Sequence, residues 1–220
     1  MKLRDRLGLS ERRQKQATYL MELAMVGILF AGLERGSTTI VVNALVGIIV
    51  AQIPPILERD YNIPMDPALT LWITAAVFFH AFGVLGLPGS EQNFYGSIPW
   101  WDHFTHALSS SVVAATGYAT ARALDEHSED IYLPPKFMFV YILLFVLAFG
   151  VLWEVIEFGL GEAARAMGNR ALLTQYGLED SMLDLVFDTV GAIIVAIWGT
   201  AHLNDVSGYI ADQLEARGAD

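Results

Sequence analysis

Residues 137–153 read FMFVYILLFVLAFGVLW, an apolar run of 17 residues without a charged side chain. A helix needs about 20 such residues to cross the hydrocarbon core of a bilayer, so this run is close to one full span. Similar blocks recur along the 220 residues, of which 54% are apolar and only 17% are charged. The sequence therefore predicts an all-α protein, a polytopic membrane helical bundle with about six transmembrane helices.

The apolar blocks divide the chain into three predicted parts. Residues 1–16 form a basic cytoplasmic N-terminal segment, residues 17–203 form a six-helix transmembrane domain, and residues 204–220 form an acidic cytoplasmic tail. The six spans are predicted at about 17–33, 38–57, 69–87, 102–122, 136–159 and 181–203. The first span follows the basic segment without a small-residue cleavage site, which indicates an uncleaved helix.

The positions of the basic residues predict the orientation. With the N-terminus inside, ten of the 13 Lys and Arg side chains lie in the inner segments or at the inner ends of the spans, as the positive-inside rule requires. We therefore expect an N-in, C-in protein that crosses the cell membrane several times. The amphipathic segment 160–180 is expected to form a helix on the outer surface and to cover the polar residues described below.

Charge and composition exclude several classes of protein. The chain has 24 acidic and 13 basic residues and no cysteine. A nucleic-acid-binding protein needs a basic face, and a small secreted scaffold needs disulfides. The expected partners are therefore membrane lipids and not nucleic acid, and association with a second copy or a membrane complex stays open. An acidic solvated surface is also typical of halophilic proteins.

Three of the predicted spans carry ionisable residues within their apolar stretches. A carboxylate at the centre of a bilayer costs at least about 2.5–3.5 kcal/mol, so these side chains are expected to face the bundle interior. Within each span they recur every three or four residues, a spacing that places them on one helical face. They are Asp102, His103 and His106 in the fourth span, Glu154 and Glu157 in the fifth, and Asp180, Asp184 and Asp188 in the sixth.

The start of span four, the end of span five and the start of span six lie on the same side of the membrane in either orientation. We therefore expect one cluster, which in the N-in orientation lies in the outer half. Carboxylates that share a dry site need a counter-charge, and His with Asp or Glu is a ligand set for divalent metal ions. The predicted cofactor is a divalent metal ion, namely Zn, Mn, Fe or Mg. The predicted ligands are Asp102, His106, Glu154, Glu157 and Asp184.

Two further predictions concern the residues around this cluster. His103 or Asp188 is expected to act as the general base or acid. Asp180 has a simpler explanation, because an acidic side chain near a helix N-terminus caps it. His80 lies at a similar depth and is either a further ligand or a hydrogen-bonded packing residue.

Two classes of function agree with this pattern. The first is an enzyme, a metal-dependent hydrolase or transferase that acts on a lipid or a lipid-linked phosphate. The second is a non-enzymatic membrane protein, either an ion or proton carrier or an accessory subunit, in which the cluster is a polar network that ties helices together.

Several of these motifs together resemble the YjdF-like family of integral membrane proteins, which has no characterised function. The resemblance covers residues 70–200 and implies a helical membrane fold without implying an activity. It rests on Trp101-Asp102-His103-Phe104-Thr105-His106, Trp153-Glu154-Val155-Ile156-Glu157, Thr174-Gln175-Tyr176-Gly177, Asp180, Asp184 and Gly191-Ala192. His103 stands where the family pattern has a basic Arg, and Tyr176 is an insertion. The pattern is also distantly similar to VanZ-like membrane proteins.

Overall fold

The fold was analysed in a computed structural model that describes residues 10–86, 92–128, 130–168, 177–198 and 200–218. Within these ranges every regular element is helical, as the sequence predicts. The helices are α1 (Glu11–Glu34), α2 (Thr38–Ala51), α3 (Ile53–Tyr61), α4 (Pro67–Leu85), α5 (Phe94–Ser97), α6 (Trp101–His127), α7 (Pro135–Ala166), α8 (Leu178–Trp198) and α9 (Thr200–Gly218).

The predicted second span is divided into two helices. Helix α2 ends at Ala51, and α3 begins at Ile53 with Pro54 and Pro55 in its first turn. Proline lacks a backbone N–H and is tolerated in the first turn of a helix but not in its interior. The chain therefore starts a new helix at this point, although α2 and α3 together remain long and apolar enough to cross a membrane.

Four segments among the described residues are long and apolar enough to span a membrane: Glu11–Glu34, Thr38–Tyr61, Pro67–Leu85 and Pro135–Ala166. Helices α6 and α8, which carry most of the ionisable residues, are 27 and 21 residues long. At about 1.5 Å per residue both exceed a hydrocarbon thickness of about 30 Å. The count of six spans and the N-in, C-in orientation stay predictions.

The helices pack in two groups. The N-terminal bundle consists of α1, α2 and α4, and the C-terminal bundle consists of α6, α7 and α8, with α9 packed along α6. An apolar core fills each group. The first core contains Met25, Ile28, Ile40, Ala44, Ala51 and Ala81, and the second includes Ala114, Ala115, Tyr118, Ile142, Val146, Ala192, Val195 and Leu203.

Helices α6 and α8 approach each other closely in the C-terminal bundle. A Cβ atom at Gly191 of α8 would collide with the carbonyl oxygen of Ala107 and with the hydroxyl of Ser110, both on α6. Glycine therefore lets the two backbones meet, as small residues do between membrane helices. The indole N–H of Trp72 on α4 donates to the hydroxyl of Ser111 over 3.0 Å, which links the two bundles.

The predicted surface helix and tail are only partly described. Helix α7 continues to Ala166, so the first residues of segment 160–180 extend this long apolar helix, while residues 169–176 lie outside the described ranges. Helix α9 runs through much of the predicted tail and buries Leu203, Ser207 and Ala211. Its Tyr209 donates a hydrogen bond to the carbonyl of Tyr61 over 3.1 Å.

Candidate metal centre

The polar side chains predicted from the sequence meet at one end of the C-terminal bundle. They come from the start of α6, the C-terminal half of α7 and the start of α8, which lie side by side. Asp184 and Asp188 retain only 1% and 5% of their accessible surface. Because a buried carboxylate needs partners, the contacts of this cluster define what it can do.

Asp102, His106 and Asp184 form the tightest group, which we call the metal group. Each offers one ligand atom, and these three atoms lie within 4.8 Å of one another. The Nε2 atom of His106 is 3.6 Å from Oδ1 of Asp102 and 3.9 Å from Oδ2 of Asp184. Two ligands that bind one ion at about 2.0–2.2 Å lie roughly 3–3.5 Å apart, so small side-chain rotations would bring these atoms around a common centre.

The other ring nitrogen of His106 contacts a second carboxylate. Its Nδ1 atom is 3.3 Å from Oδ1 of Asp188, one turn beyond Asp184 on α8. Asp188 can accept a proton from Nδ1, and Nε2 is then the ring nitrogen that faces Asp102 and Asp184 and could bind an ion. A carboxylate behind a histidine is the usual arrangement in metal sites, where it fixes the ring orientation and tautomer.

His103 lies at the accessible side of the cluster. Its Nδ1 atom is 3.4 Å from Oδ1 of Asp184, and its ring stacks on Phe187 with 4.5 Å between the centroids. The side chain retains 21% of its accessible surface. The aromatic stack therefore holds a partly accessible imidazole next to the metal group.

Glu154 and Glu157 are buried on one face of α7 and lie outside the three-residue metal group. Glu157 nevertheless interacts electrostatically with Glu154, Asp102, His106 and Asp184, so it belongs to the same polar region. Of the five ligands predicted from the sequence, the structure thus brings three together most closely. The two glutamates lie beside them.

A second pair of polar side chains adjoins the cluster, and only its histidine, His80, is predicted from the sequence. The hydroxyl of Tyr95 on α5 is 2.9 Å from Nδ1 of His80 on α4. Tyr95 also lies within electrostatic range of Asp102, Glu157 and Asp184. His80 is therefore a hydrogen-bonded residue next to the site. Tyr95 was missed because a lone tyrosine in a loop rich in Gly and Pro gives no sequence signal of its own.

Sequence comparison identifies the family of this chain. A family model described as a predicted membrane protein (DUF2238) matches residues 17–205, which include all the helices of the site. The chain belongs to this DUF2238 family. The YjdF-like resemblance fits the family, and the description agrees with the four apolar helices in indicating a membrane protein.

This DUF2238 protein is similar to an uncharacterized protein of Thermotoga maritima. The two are 29% identical over 143 residues, which cover 65% of this chain and 67% of the Thermotoga protein. No solved structure matches the chain. The distant likeness to VanZ-like proteins, the cell membrane as the particular location and the halophile-like surface stay predictions.

Proposed function

We propose that the metal group holds a divalent metal ion and that the protein is a metal-dependent hydrolase or transferase. Its substrate would be a lipid or a lipid-linked phosphate at the outer face. One observation carries the proposal: the ring of His106 lies between Asp188 on its Nδ1 side and Asp102 and Asp184 on its Nε2 side. In this arrangement Asp188 would orient the ring and keep the proton on Nδ1 while Nε2 binds the ion.

The donor set favours particular ions. One imidazole nitrogen and two carboxylates suit Zn, Mn or Fe, whereas Mg prefers oxygen ligands alone. Glu154 and Glu157 are buried on α7, and Glu157 interacts electrostatically with the metal group, so both remain candidates for further ligands. The proposal therefore retains all five predicted ligands and orders them, with Asp102, His106 and Asp184 first.

The chain's own residues would perform distinct tasks. When bound, a divalent ion supplies a Lewis acid. His103 keeps its Nδ1 near Asp184, so its Nε2 can accept a proton from an attacking water or hydroxyl group. Asp188 contacts the far side of the His106 ring and orients it. Of the two predicted acid–base residues, we therefore assign catalysis to His103.

The location of the site suggests the substrate class. Trp100, directly before α6, is 59% exposed at the same end of the bundle as the metal group. Tryptophan prefers the headgroup region of a bilayer, so the metal group is expected at headgroup depth. Lipid headgroups and lipid-linked phosphates are the molecules that reach such a site from the membrane.

Elemental analysis of the purified protein tests the metal proposal. We expect about one divalent ion per chain after exposure to Zn²⁺ or Mn²⁺, and its loss in Asp184→Ala and His106→Gln. Glu162→Ala is the matched control, because Glu162 is on α7 and pairs with Arg165 at the surface. If Asp184→Ala and Glu162→Ala retain equal amounts of metal, the proposal is wrong.

A separate assay tests the enzymatic part. The protein, reconstituted with Zn²⁺ or Mn²⁺ in vesicles that contain glycerophospholipids and polyprenyl phosphates, should release phosphate or headgroup. His103→Gln should retain the metal and lower the rate by roughly 10²–10⁴-fold, the usual contribution of a general base. Metal-dependent ion flux across the vesicles without hydrolysis would instead identify a carrier.

A further inference from the structure

Helix α7 meets Asp188 and Leu185 of α8 at a glycine, Gly150. A Cβ atom built on Gly150 would collide with Oδ2 of Asp188 and would lie 2.8 Å from Cδ2 of Leu185. Both contacts are shorter than real Cβ atoms tolerate, so a side chain here would displace at least one of these neighbours. The leucine methyl is the flexible end of a long side chain, whereas Asp188 is almost fully buried and its Oδ1 contacts His106.

We propose that Gly150 is a positioning residue for the His106 ring. The absent side chain leaves the space that Oδ2 of Asp188 occupies, and Oδ1 of the same carboxylate contacts Nδ1 of His106. A methyl group at position 150 turns or displaces this carboxylate and thereby weakens its hold on the ring. The effect on ring orientation stands by itself, and only the effect on metal affinity rests on the proposed function.

The face of α7 that carries Gly150 continues into the acidic part of the site. The buried residues of this face follow helical spacing and are Val146, Gly150, Glu154 and Glu157. The same face packs on α8. The close approach at Gly150 therefore also sets how near the two glutamates come to Asp184.

The experiment compares the same substitution at two glycines of α7. Gly150→Ala introduces the collision, and Gly159→Ala is the matched control because a Cβ there meets nothing within 4 Å. Two quantities are measured in detergent micelles: the ring-nitrogen NMR signals of ¹⁵N-histidine protein and the affinity for Zn²⁺. The His106 signals are assigned by their loss in His106→Gln.

We expect Gly150→Ala to shift the His106 ring-nitrogen signals in the same direction as Asp188→Asn does. We also expect a loss of Zn²⁺ affinity of roughly 10- to 100-fold, the range seen when the partner of a ligating histidine is removed. Gly159→Ala should change neither quantity. In an Asp188→Ala background Gly150→Ala should have no further effect, because the colliding carboxylate is gone.

The outcomes separate this inference from the proposed function. If the wild-type protein binds no Zn²⁺ but Gly150→Ala still shifts the His106 signals, the metal proposal fails and the positioning role stands. The positioning role is overturned if Asp188→Asn shifts the signals and Gly150→Ala does not. It is also overturned if Gly150→Ala acts as strongly in the Asp188→Ala background, since Leu185 or general helix packing would then be responsible.

Discussion

The two bundles of this protein bury different kinds of side chain. In the N-terminal bundle the core is formed by residues such as Met25 and Ala81, both without accessible surface. Its buried Asn43 donates to the carbonyl of Thr39 in its own helix. In the C-terminal bundle Asp184 and Asp188 are almost as fully buried, and both reach histidines on another helix.

This difference shows which buried side chains fix the orientation of a helix within a membrane bundle. Lipid tails are as apolar as leucine, so apolar burial alone gives little preference for one side of a membrane helix over another. Carboxylates and histidines do have a strong preference, because an unpaired charge in hydrocarbon is costly. The polar face therefore orients the helices of the C-terminal bundle, whereas the core of the N-terminal bundle is largely apolar. Three predictions test this contrast.

The largest expected effect follows metal removal. A ligand at 100 times its dissociation constant stabilises the folded state by about 2.7 kcal/mol, so chelation should lower the stability of the C-terminal bundle by that order. Hydrogen exchange should show faster amide exchange in α6 and α8 after chelation and unchanged exchange in α1 and α2. The Asp184→Ala protein, which lacks a ligand, should not respond. If chelation accelerates amide exchange equally in both bundles, the metal does not act on the C-terminal bundle alone and this prediction is wrong.

A glycine in each bundle provides the second test. A Cβ at Gly191 meets backbone and hydroxyl atoms of α6, whereas a Cβ at Gly47 meets the flexible sulfur of Met25 at 2.9 Å. Gly191→Ala should therefore lower the free energy of unfolding in mixed micelles by about 1–3 kcal/mol, the usual cost of overpacking. It should also weaken metal binding, because α6 and α8 carry the three proposed ligands.

Gly47→Ala should cost much less, since a methionine side chain adapts to a new methyl group. Gly27→Ala, where a Cβ meets nothing within 4 Å, is the neutral reference. If Gly47→Ala is as destabilising as Gly191→Ala, the N-terminal core does not adapt to a new methyl group more easily than the C-terminal core does.

The smallest effect concerns the link between the bundles. Trp72→Phe removes the indole N–H that donates to Ser111. It should lower the free energy of unfolding by about 0.5–1.5 kcal/mol, the net contribution of one hydrogen bond. Trp100→Phe changes an exposed indole and serves as the control. The free energy of unfolding should fall in Trp72→Phe and not in Trp100→Phe, and the metal affinity should stay unchanged in both variants. A loss of metal in Trp72→Phe would mean that the bundles are coupled through the site.

Much of this architecture could be predicted from the sequence because apolar length and residue spacing have direct structural consequences. The all-helical fold and the shared location of the acidic residues follow from span length and from the i, i+3 and i, i+4 spacing. The break at Pro54 also has a local cause, although only the structure shows that a new helix starts there.

The ranking of the site residues could not be predicted, because it depends on how α7 and α8 pack. Spacing places Glu154, Glu157 and Asp184 at a similar depth, but it does not say which atoms come nearest to His106. Asp188 fits the stripe of acids equally well as an acid–base group or as the partner of a histidine. Its position behind the His106 ring depends on the approach of helices at Gly150 and Gly191, and residue spacing does not show how near two helices come at a glycine.

The central claim is that Asp102, His106 and Asp184 bind one divalent ion. Anomalous X-ray diffraction at the Mn or Zn edge, from crystals grown with that ion, tests the claim most directly. We predict one anomalous peak at about 2.0–2.2 Å from Nε2 of His106 and from a carboxylate oxygen of each aspartate. A peak elsewhere, or none at this position while Asp188 and His106 keep their contact, would contradict the account.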